Sequence, residues 1–283
     1  MVISLAHLGP TGTYSEAAAS IYAQWLATHQ QQETSLYPCP SIAQTLHSVA
    51  QGKANLAVVP VENSIQGSVT MTLDTLWELD QLRIQWGLVL PIFHTLLSFA
   101  PSLEAIETVY SHPQALGQCQ KWLDKFLPQV KLIPTNSTTE ALQYLDKQHK
   151  AGAISSSRAA QLYNLPILVS HIGDHPENYT RFWIMGLEEN NEHEGNYVSL
   201  GFSVPANVPG ALVKPLSVFA KRSINLSRIE SRPTKRSLGE YVFFLDLEGS
   251  RQEKNMQAAL SELLHHTTVL KIFGSYGLLP NKS

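Results

Sequence analysis

Apolar positions along this chain follow two alternating rhythms. Short unbroken apolar runs read as buried strands, and between them apolar residues return every three or four positions, as on one face of a helix. Val2 to Leu8 is the first such strand. Thr13 and Glu16 then form a T-x-x-E capping box, opening a helix whose apolar face carries Ile21, Tyr22, Trp25 and Leu26. Ser41 and Gln44 repeat the pattern before a helix with Ile42, Leu46 and Val49 inward, closed by Gly52. Leu56 to Val59 is a strand, Val69, Leu73, Leu76 and Trp77 mark a helix, and Gly87 to Ser98 is extended. A second series starts at Ile106. It runs through a strand ending at Tyr110, a helix from Gln114 to Phe126, a strand at Val130 to Ile133 and a helix from the Ser137/Glu140 box to about Gln148. Ala153-Ile154, Ile167 to Val169 and Phe182 to Leu187 read as strands, with a short helix over Ser157 to Tyr163. Such alternation predicts an α/β sheet covered on both faces. Two series joined near Pro91 to Pro101 predict two lobes, the second spanning about 100–170, with a ligand cleft between them.

The pattern changes at Glu188 to Asn196, EENNEHEGN, which is acidic and has no apolar period, so 188–196 reads as a linker. From Tyr197 onward the order is β-α-β-β-α-β: strands at 197–204, 226–231, 241–247 and 269–276, helices at 209–222 and 252–265. That order predicts a ferredoxin-like unit over 197–283, separate from a domain over 1–187.

Composition narrows the function. The chain has 283 residues, 43% hydrophobic and 15% charged, as in ordinary globular proteins, with a net charge of -3. There is no basic tract for nucleic acid, and no apolar run reaches the roughly 20 residues of a membrane span. Two distant cysteines, Cys39 and Cys119, and an N-terminus without a secretory pattern predict a cytoplasmic protein. With negative overall charge, an anionic ligand would need local donors.

Such donors are suggested by four strand-to-helix loops: Gly9 to Glu16, Val59 to Gly67, Ser111 to Gln114 and Asn136 to Glu140. Glycines and hydroxyl residues at helix starts leave backbone N–H groups free for an anion, although each loop alone also reads as ordinary capping. None matches a dinucleotide or P-loop fingerprint. His171 and His175 have i, i+4 spacing, but Gly173 and Pro176 oppose a helix there, so no metal is expected.

The stretches GPTGTYSEAA (9–18), VVPVENSIQGSV (58–69), SHPQALGQC (111–119) and NYTRFWIM (178–185) resemble the signatures of prephenate dehydratases, in the family's order. NVPGALVKPLSVFAKRSINLSRIESRP (207–233) resembles the ACT regulatory domain attached to those enzymes. Nothing ahead of Met1 resembles a chorismate mutase, so the likeness is to the monofunctional form.

The resemblance implies a bilobed, periplasmic-binding-protein-like catalytic region that uses no cofactor and converts prephenate to phenylpyruvate. It implies a catalytic role for Thr180 of the TRF triplet, with Asn63, Ser111 and Gln118. Thr13, Ser64, Gly67, His112, Gln114, Arg181 and Phe182 are the expected substrate contacts. Arg181 reads equally as a carboxylate clamp or a structural ion pair, and His112 more as a loop-orienting residue than as an acid. Asn207, Pro209, Gly210, Ala211 and Leu212, with Glu230, Ser231, Arg232 and Pro233, are the expected phenylalanine contacts in paired ACT domains of a homodimer or tetramer. Competing expectations are an arogenate dehydratase, which performs the same elimination on the amino-acid analogue, and a non-catalytic sensor of small anions.

Overall fold

A computed structural model describes residues 2–145, 149–188 and 195–280. Most of the expected linker, 189–194, and the end of the helix expected to reach Gln148 lie outside these residues. In chain order, β1 (Ile3–Leu8) leads into α1 (Tyr14–Gln30), β2 (Thr34–Cys39), α2 (Ile42–Ala50), β3 (Leu56–Asn63) and the two-residue β4 (Gly67–Ser68). α3 (Thr70–Glu78), β5 (Arg83–Pro91), β6 (Thr95–Ser98) and β7 (Thr108–Ser111) follow. Then come α4 (Pro113–Gln118), α5 (Gln120–Phe126), β8 (Lys131–Pro134), β9 (Ala151–Ser155), α6 (Ser157–Leu162), β10 (Ile167–Val169) and β11 (Tyr179–Gly186). The last part is β12 (Tyr197–Ser203), α7 (Val213–Ala220), β13 (Leu226–Pro233), β14 (Tyr241–Glu248), α8 (Lys254–Leu263) and β15 (Val269–Leu278). The mixed α/β class and the βαββαβ order therefore hold. Among the described residues no helix is long and apolar enough to cross a membrane.

Where pattern and structure part, a neighbouring group decides. The helix expected over Gln114 to Phe126 breaks at Cys119, whose φ is -118° and ψ 12°. The Asp174 carboxylate accepts from the backbone N–H of Lys121 at 2.9 Å and of Trp122 at 3.0 Å, capping a second helix where one continuous helix was expected. Phe126 and Ile21, expected on inward faces, are exposed. β2 has no apolar run because it is mostly exposed and lies at a sheet edge, where Pro38 is tolerated. The Ser137/Glu140 box forms, with Glu140 N–H donating to Ser137 Oγ at 2.9 Å, but it opens only a 3₁₀ turn over Glu140–Tyr144.

The chain divides into two compact units. The first holds residues 1–41, 62–67 and 90–180. Its five-stranded sheet has the order β10-β6-β9-β7-β8, with β7 parallel to both β8 and β9. One face packs Val109, Ile154 and Leu96 against Leu116, Cys119 and Leu123. The other packs Tyr110, Ala151 and Ala153 against Ala141, Leu142 and Ala159. β1 and β2 run parallel in the same unit.

The second unit holds residues 42–61, 68–89 and 181–283, with strand order β13-β14-β12-β15-β5-β11-β3. Within it, the helices α7 and α8 cover one face of the β12–β15 sheet around Phe202, Phe219, Leu245 and Leu263. The opposite face is polar and aromatic. Asp246 is fully buried there, and Arg228 donates to it through Nε at 2.7 Å, Arg181 at 3.4 Å, and Ser199 through its hydroxyl. Tyr276 Oη sits 3.1 Å from Ser199 Oγ and accepts from Trp183 Nε1 at 3.1 Å. Gly201 lets Trp77 approach, since a Cβ there would lie 3.2 Å from the indole. β15 also pairs parallel with β5 at Gly277–Trp86 and Leu278–Gly87. The βαββαβ unit is thus packed into the rest of the second unit rather than held by a linker alone.

A buried carboxylate between two arginines is destabilising to lose, because its removal strands their charges in a dry site. Asp246→Ala is expected to lower stability by about 3–5 kcal/mol in urea unfolding. A loss below about 1 kcal/mol would mean that the arginines find other partners.

Candidate active site

The site residues are assembled by three strand ends in the first unit. Asn63 ends β3, Ser111 ends β7 and Thr180 stands second in β11, while Gln118 closes α4. All four are buried. The side-chain amide of Asn63 joins them. Its nitrogen lies 3.0 Å from Thr180 Oγ1, 2.7 Å from Asn178 Oδ1 and 3.2 Å from the Tyr179 carbonyl. Its oxygen accepts from the N–H groups of Ile65 and Gln66, both at 3.1 Å, which folds the VENSIQG loop back over the strand end. Gln118 Nε2 reaches the same oxygen at 3.5 Å.

Gln118 is held in turn. Its Oε1 accepts from Asn178 Nδ2 at 3.0 Å and pairs with His94 Nε2 at 2.7 Å. A carbonyl oxygen can only accept, so Nε2 carries the imidazole proton and Nδ1 is left as an acceptor. Burial holds the His94 pKa below its ordinary value, against a smaller opposing effect of Gln118. His94 is anchored through its neighbour: Tyr14 Oη donates to the Phe93 carbonyl at 2.5 Å and accepts from its N–H at 3.1 Å. Burial raises the Tyr14 pKa, so the phenol stays protonated for that bond.

Asn178, His94 and Tyr14 are thus part of the constellation although they were not picked out as site residues. The asparagine was visible, as the first letter of NYTRF. His94 carried no signal, because its link to Gln118 spans 24 residues between two elements.

The other expected contacts are placed less favourably. Thr13 uses its hydroxyl within its own loop, donating to the Leu8 carbonyl at 3.1 Å and accepting from Glu16 N–H at 3.2 Å. Ser64 is exposed and also engaged, donating to the Glu177 carbonyl and accepting from Tyr179 N–H. His112 caps α4, its Nδ1 accepting from Gln114 N–H at 3.2 Å, and burial lowers its pKa; this fits the loop-orienting reading. Gly67 has φ 78° and, like Gln114, is exposed. Ser111 donates to the Ile154 carbonyl at 2.6 Å, which leaves its oxygen lone pairs as acceptors.

Two expected contacts are engaged within the fold. Strand alternation turns Arg181 away from Thr180, and its guanidinium binds Asp246, as in the ion-pair reading. Phe182 is 1% exposed and packs in the core.

The cluster is electrically neutral at its centre. Arg158, the cation next to the Gly9 to Gly12 loop, forms a bidentate pair with Glu16 at 2.9 and 2.7 Å. Burial raises the Glu16 pKa, but the hydrogen bonds and charge of Arg158 outweigh it and the net shift is downward, so the pair stays ionised. The same carboxylate accepts from Gly12 N–H at 3.4 Å, and Gly12, at φ 90°, has the positive backbone angle that a β-carbon would disfavour.

In the βαββαβ unit, the 209–212 segment is a turn, with Gly210 at φ 80°, and α7 starts only at Val213. Asn207, Pro209 and Gly210 are exposed, and Ala211 and Leu212 are half-buried. On β13, Ser231 and Pro233 are exposed, whereas Glu230 accepts from Ser68 Oγ at 3.1 Å and Arg232 forms a bidentate pair with Asp74 at 2.9 and 3.0 Å. Glu230 and Arg232 therefore face α3 and the segment before it, not open solvent.

Residues 5–190 match the prephenate dehydratase family and residues 198–265 the ACT domain. A bifunctional chorismate mutase/prephenate dehydratase of Aquifex aeolicus is 41% identical over 274 residues, covering 97% of this chain and 73% of that protein. The crystal structure of a prephenate dehydratase from Arthrobacter aurescens in complex with L-Phe superposes with a TM-score of 0.85 at 32% identity, covering 97% of this chain and 90% of that one. A structure described as a quorum-quenching acylase, GqqA, superposes with a TM-score of 0.81 at 28% identity, covering 99% of both chains. By sequence along nearly its whole length, and by an ACT domain in the expected place, this chain belongs to the prephenate dehydratase family.

Proposed function

We propose that Thr180 is the hydrogen-bond donor at the leaving oxygen of prephenate, with Asn63, Gln118 and Ser111 arranged around it. One observation carries this reading. Asn63 donates to Thr180 Oγ1, so the threonine oxygen is already an acceptor and its own proton is free to point at a ligand. Loss of carbon dioxide together with the ring hydroxyl gives an aromatic product, so the driving force lies in the substrate. The protein has to orient the dianion and stabilise a departing oxygen, which preorganised neutral donors do well. Outright proton transfer from an alcohol is not needed: a strong hydrogen bond from Thr180 is the role its chemistry suits.

Residues 1–187 form the catalytic domain in this reading and 197–283 the regulatory one. L-phenylalanine binds at the 207–212 turn and the β13 segment, in ACT domains paired between two chains of a homodimer or dimer of dimers. Two cysteines, both free and buried, support a cytoplasmic setting. An acylase activity like that attributed to GqqA has less support. It would need a nucleophile beside a base, whereas the Ser111 hydroxyl is committed to a carbonyl and His112 Nδ1 to a backbone N–H.

Thr180→Val is expected to lower kcat about a hundredfold or more, with KM for prephenate changed by a small factor. Phenylpyruvate absorbance measures it, and near-normal kcat in a folded variant would remove Thr180 from the mechanism. The same assay with arogenate separates the two dehydratase activities.

His94 makes stability depend on pH. Its folded pKa lies below its unfolded one, so the contribution is full above about 6.5, the unfolded value, and is lost as pH falls through the folded value. Melting temperatures of the wild type should therefore fall more steeply on acidification than those of His94→Gln; parallel curves would show that His94 does not report this burial.

Gly210→Val places a β-branched residue at φ 80° and is expected to weaken phenylalanine binding about tenfold or more in titration calorimetry. Unchanged affinity would move the effector site away from the 207–212 turn.

A further inference from the structure

Among the described residues, the buried side-chain polar atoms without a hydrogen-bond partner are His94 Nδ1, Thr139 Oγ1 and Ser155 Oγ. All three belong to the first compact unit. A buried unpaired hydroxyl is unfavourable, and a folded protein keeps one where something else satisfies it. His94 is already joined to Gln118. The two hydroxyls have no part yet in the site.

Their placement relates them to it. Ser155 ends β9, one residue after Ile154, whose carbonyl takes the Ser111 hydroxyl. It stands opposite Thr95 across the β6–β9 ladder, next to His94. Side chains alternate along a strand, so Ser155 projects on the same face as Ala153, which packs with Ala141 and Ala159. Thr139 lies two residues before Ala141. Its methyl group is 3.4 Å from where a β-carbon of Gly12 would sit, as is the Ala159 methyl. The Gly12 carbonyl accepts from Ser156 Oγ at 3.2 Å, which ties the GPTG loop to the residue following Ser155. Thr139 is 5% exposed and Ser155 not at all. Ser155 stands at the C-terminal end of β9, which runs parallel to β7, and Thr139 in the loop that follows β8; such ends are where α/β sheets hold ligands.

Charge says what fits. The guanidinium group of Arg158 is held by Glu16. A carboxylate brought to this part of the unit must be met by neutral donors, and two unspent O–H groups are such donors. We propose that Ser155 and Thr139 form an anion subsite that takes one carboxylate of the substrate while Thr180 meets the leaving oxygen. The assignment rests on the dehydratase reading for the identity of the anion.

The experiment separates the two. Wild-type turnover of prephenate tests the dehydratase reading by itself. The subsite is read by binding, in a Thr180→Val background that suppresses turnover: prephenate is titrated calorimetrically into that protein and into the same protein carrying Ser155→Ala, Thr139→Val or Thr139→Ser. Ser155→Ala and Thr139→Val are expected to weaken binding about tenfold or more each, the loss of one hydrogen bond to a charged group, and Thr139→Ser, which keeps the hydroxyl, to restore it. Because the removed hydroxyls have no protein partner, the ligand-free melting temperature of Ser155→Ala should not fall. Equal affinities, no measurable prephenate binding, or a ligand-free melting temperature lowered by several degrees in Ser155→Ala would each overturn the subsite, the last by showing a structural bond in its place.

Discussion

The side-chain amide of Asn63 is the bond on which the candidate site depends. It gathers in one place the end of β3, the start of β11 and the end of α4, three elements far apart in the chain. An amide can do this because it is a donor and an acceptor at once, with a fixed planar geometry. Its nitrogen serves Thr180 and Asn178, its oxygen two backbone N–H groups and Gln118. Gln118, Asn178 and His94 then constrain one another, so no member can turn without leaving a buried polar group unpaired. A threonine hydroxyl is a weak donor on a freely rotating bond; the Asn63 N–H holds its oxygen as an acceptor.

The second constraint is neutrality. A site for a dianion invites arginines, yet Arg158, beside the Gly9 to Gly12 loop, is paired with Glu16 inside the fold. The consequence is a site of amides, hydroxyls and backbone groups. Such donors need no counter-charge and are not masked by salt, but their strength depends on exclusion of water and on exact aim. This accounts for how much of the surrounding structure, from Tyr14 to Asp174, is spent on holding short loops in place.

The ACT domain is bonded into the rest of the second unit. The inward side of β13 carries Arg228, Glu230 and Arg232, which engage Asp246, Ser68 and Asp74. An effector changes activity only through states it binds unequally, and these bonds are contacts that two such states could make differently. They also bear on cutting the chain at 188–196: removal of β15 and Asp246 would uncover Trp77, Trp183 and the paired strand β5, so point substitutions in the full chain are the cleaner probe of regulation.

The sequence alone determined the α/β class and the βαββαβ unit, because strand runs, helix periods and loop signatures are local in the chain. The TRF, VENS and SHPQALGQC stretches singled out Thr180, Asn63, Ser111 and Gln118 as candidates. Tertiary structure decided what those residues do to one another. Arg181 and Thr180 are neighbours in sequence, but the pleat sends one to Asp246 and the other to Asn63. Asp174 breaks a helix more than fifty residues away, at Cys119, and no periodicity near Cys119 foretells it. His94 and Ser155 carry no pattern, and Thr139 only the loop signature of Asn136 to Glu140. Their importance is a matter of which buried polar atoms are paired, and pairing across 24 or more residues is a property of packing in three dimensions, not of any stretch of chain.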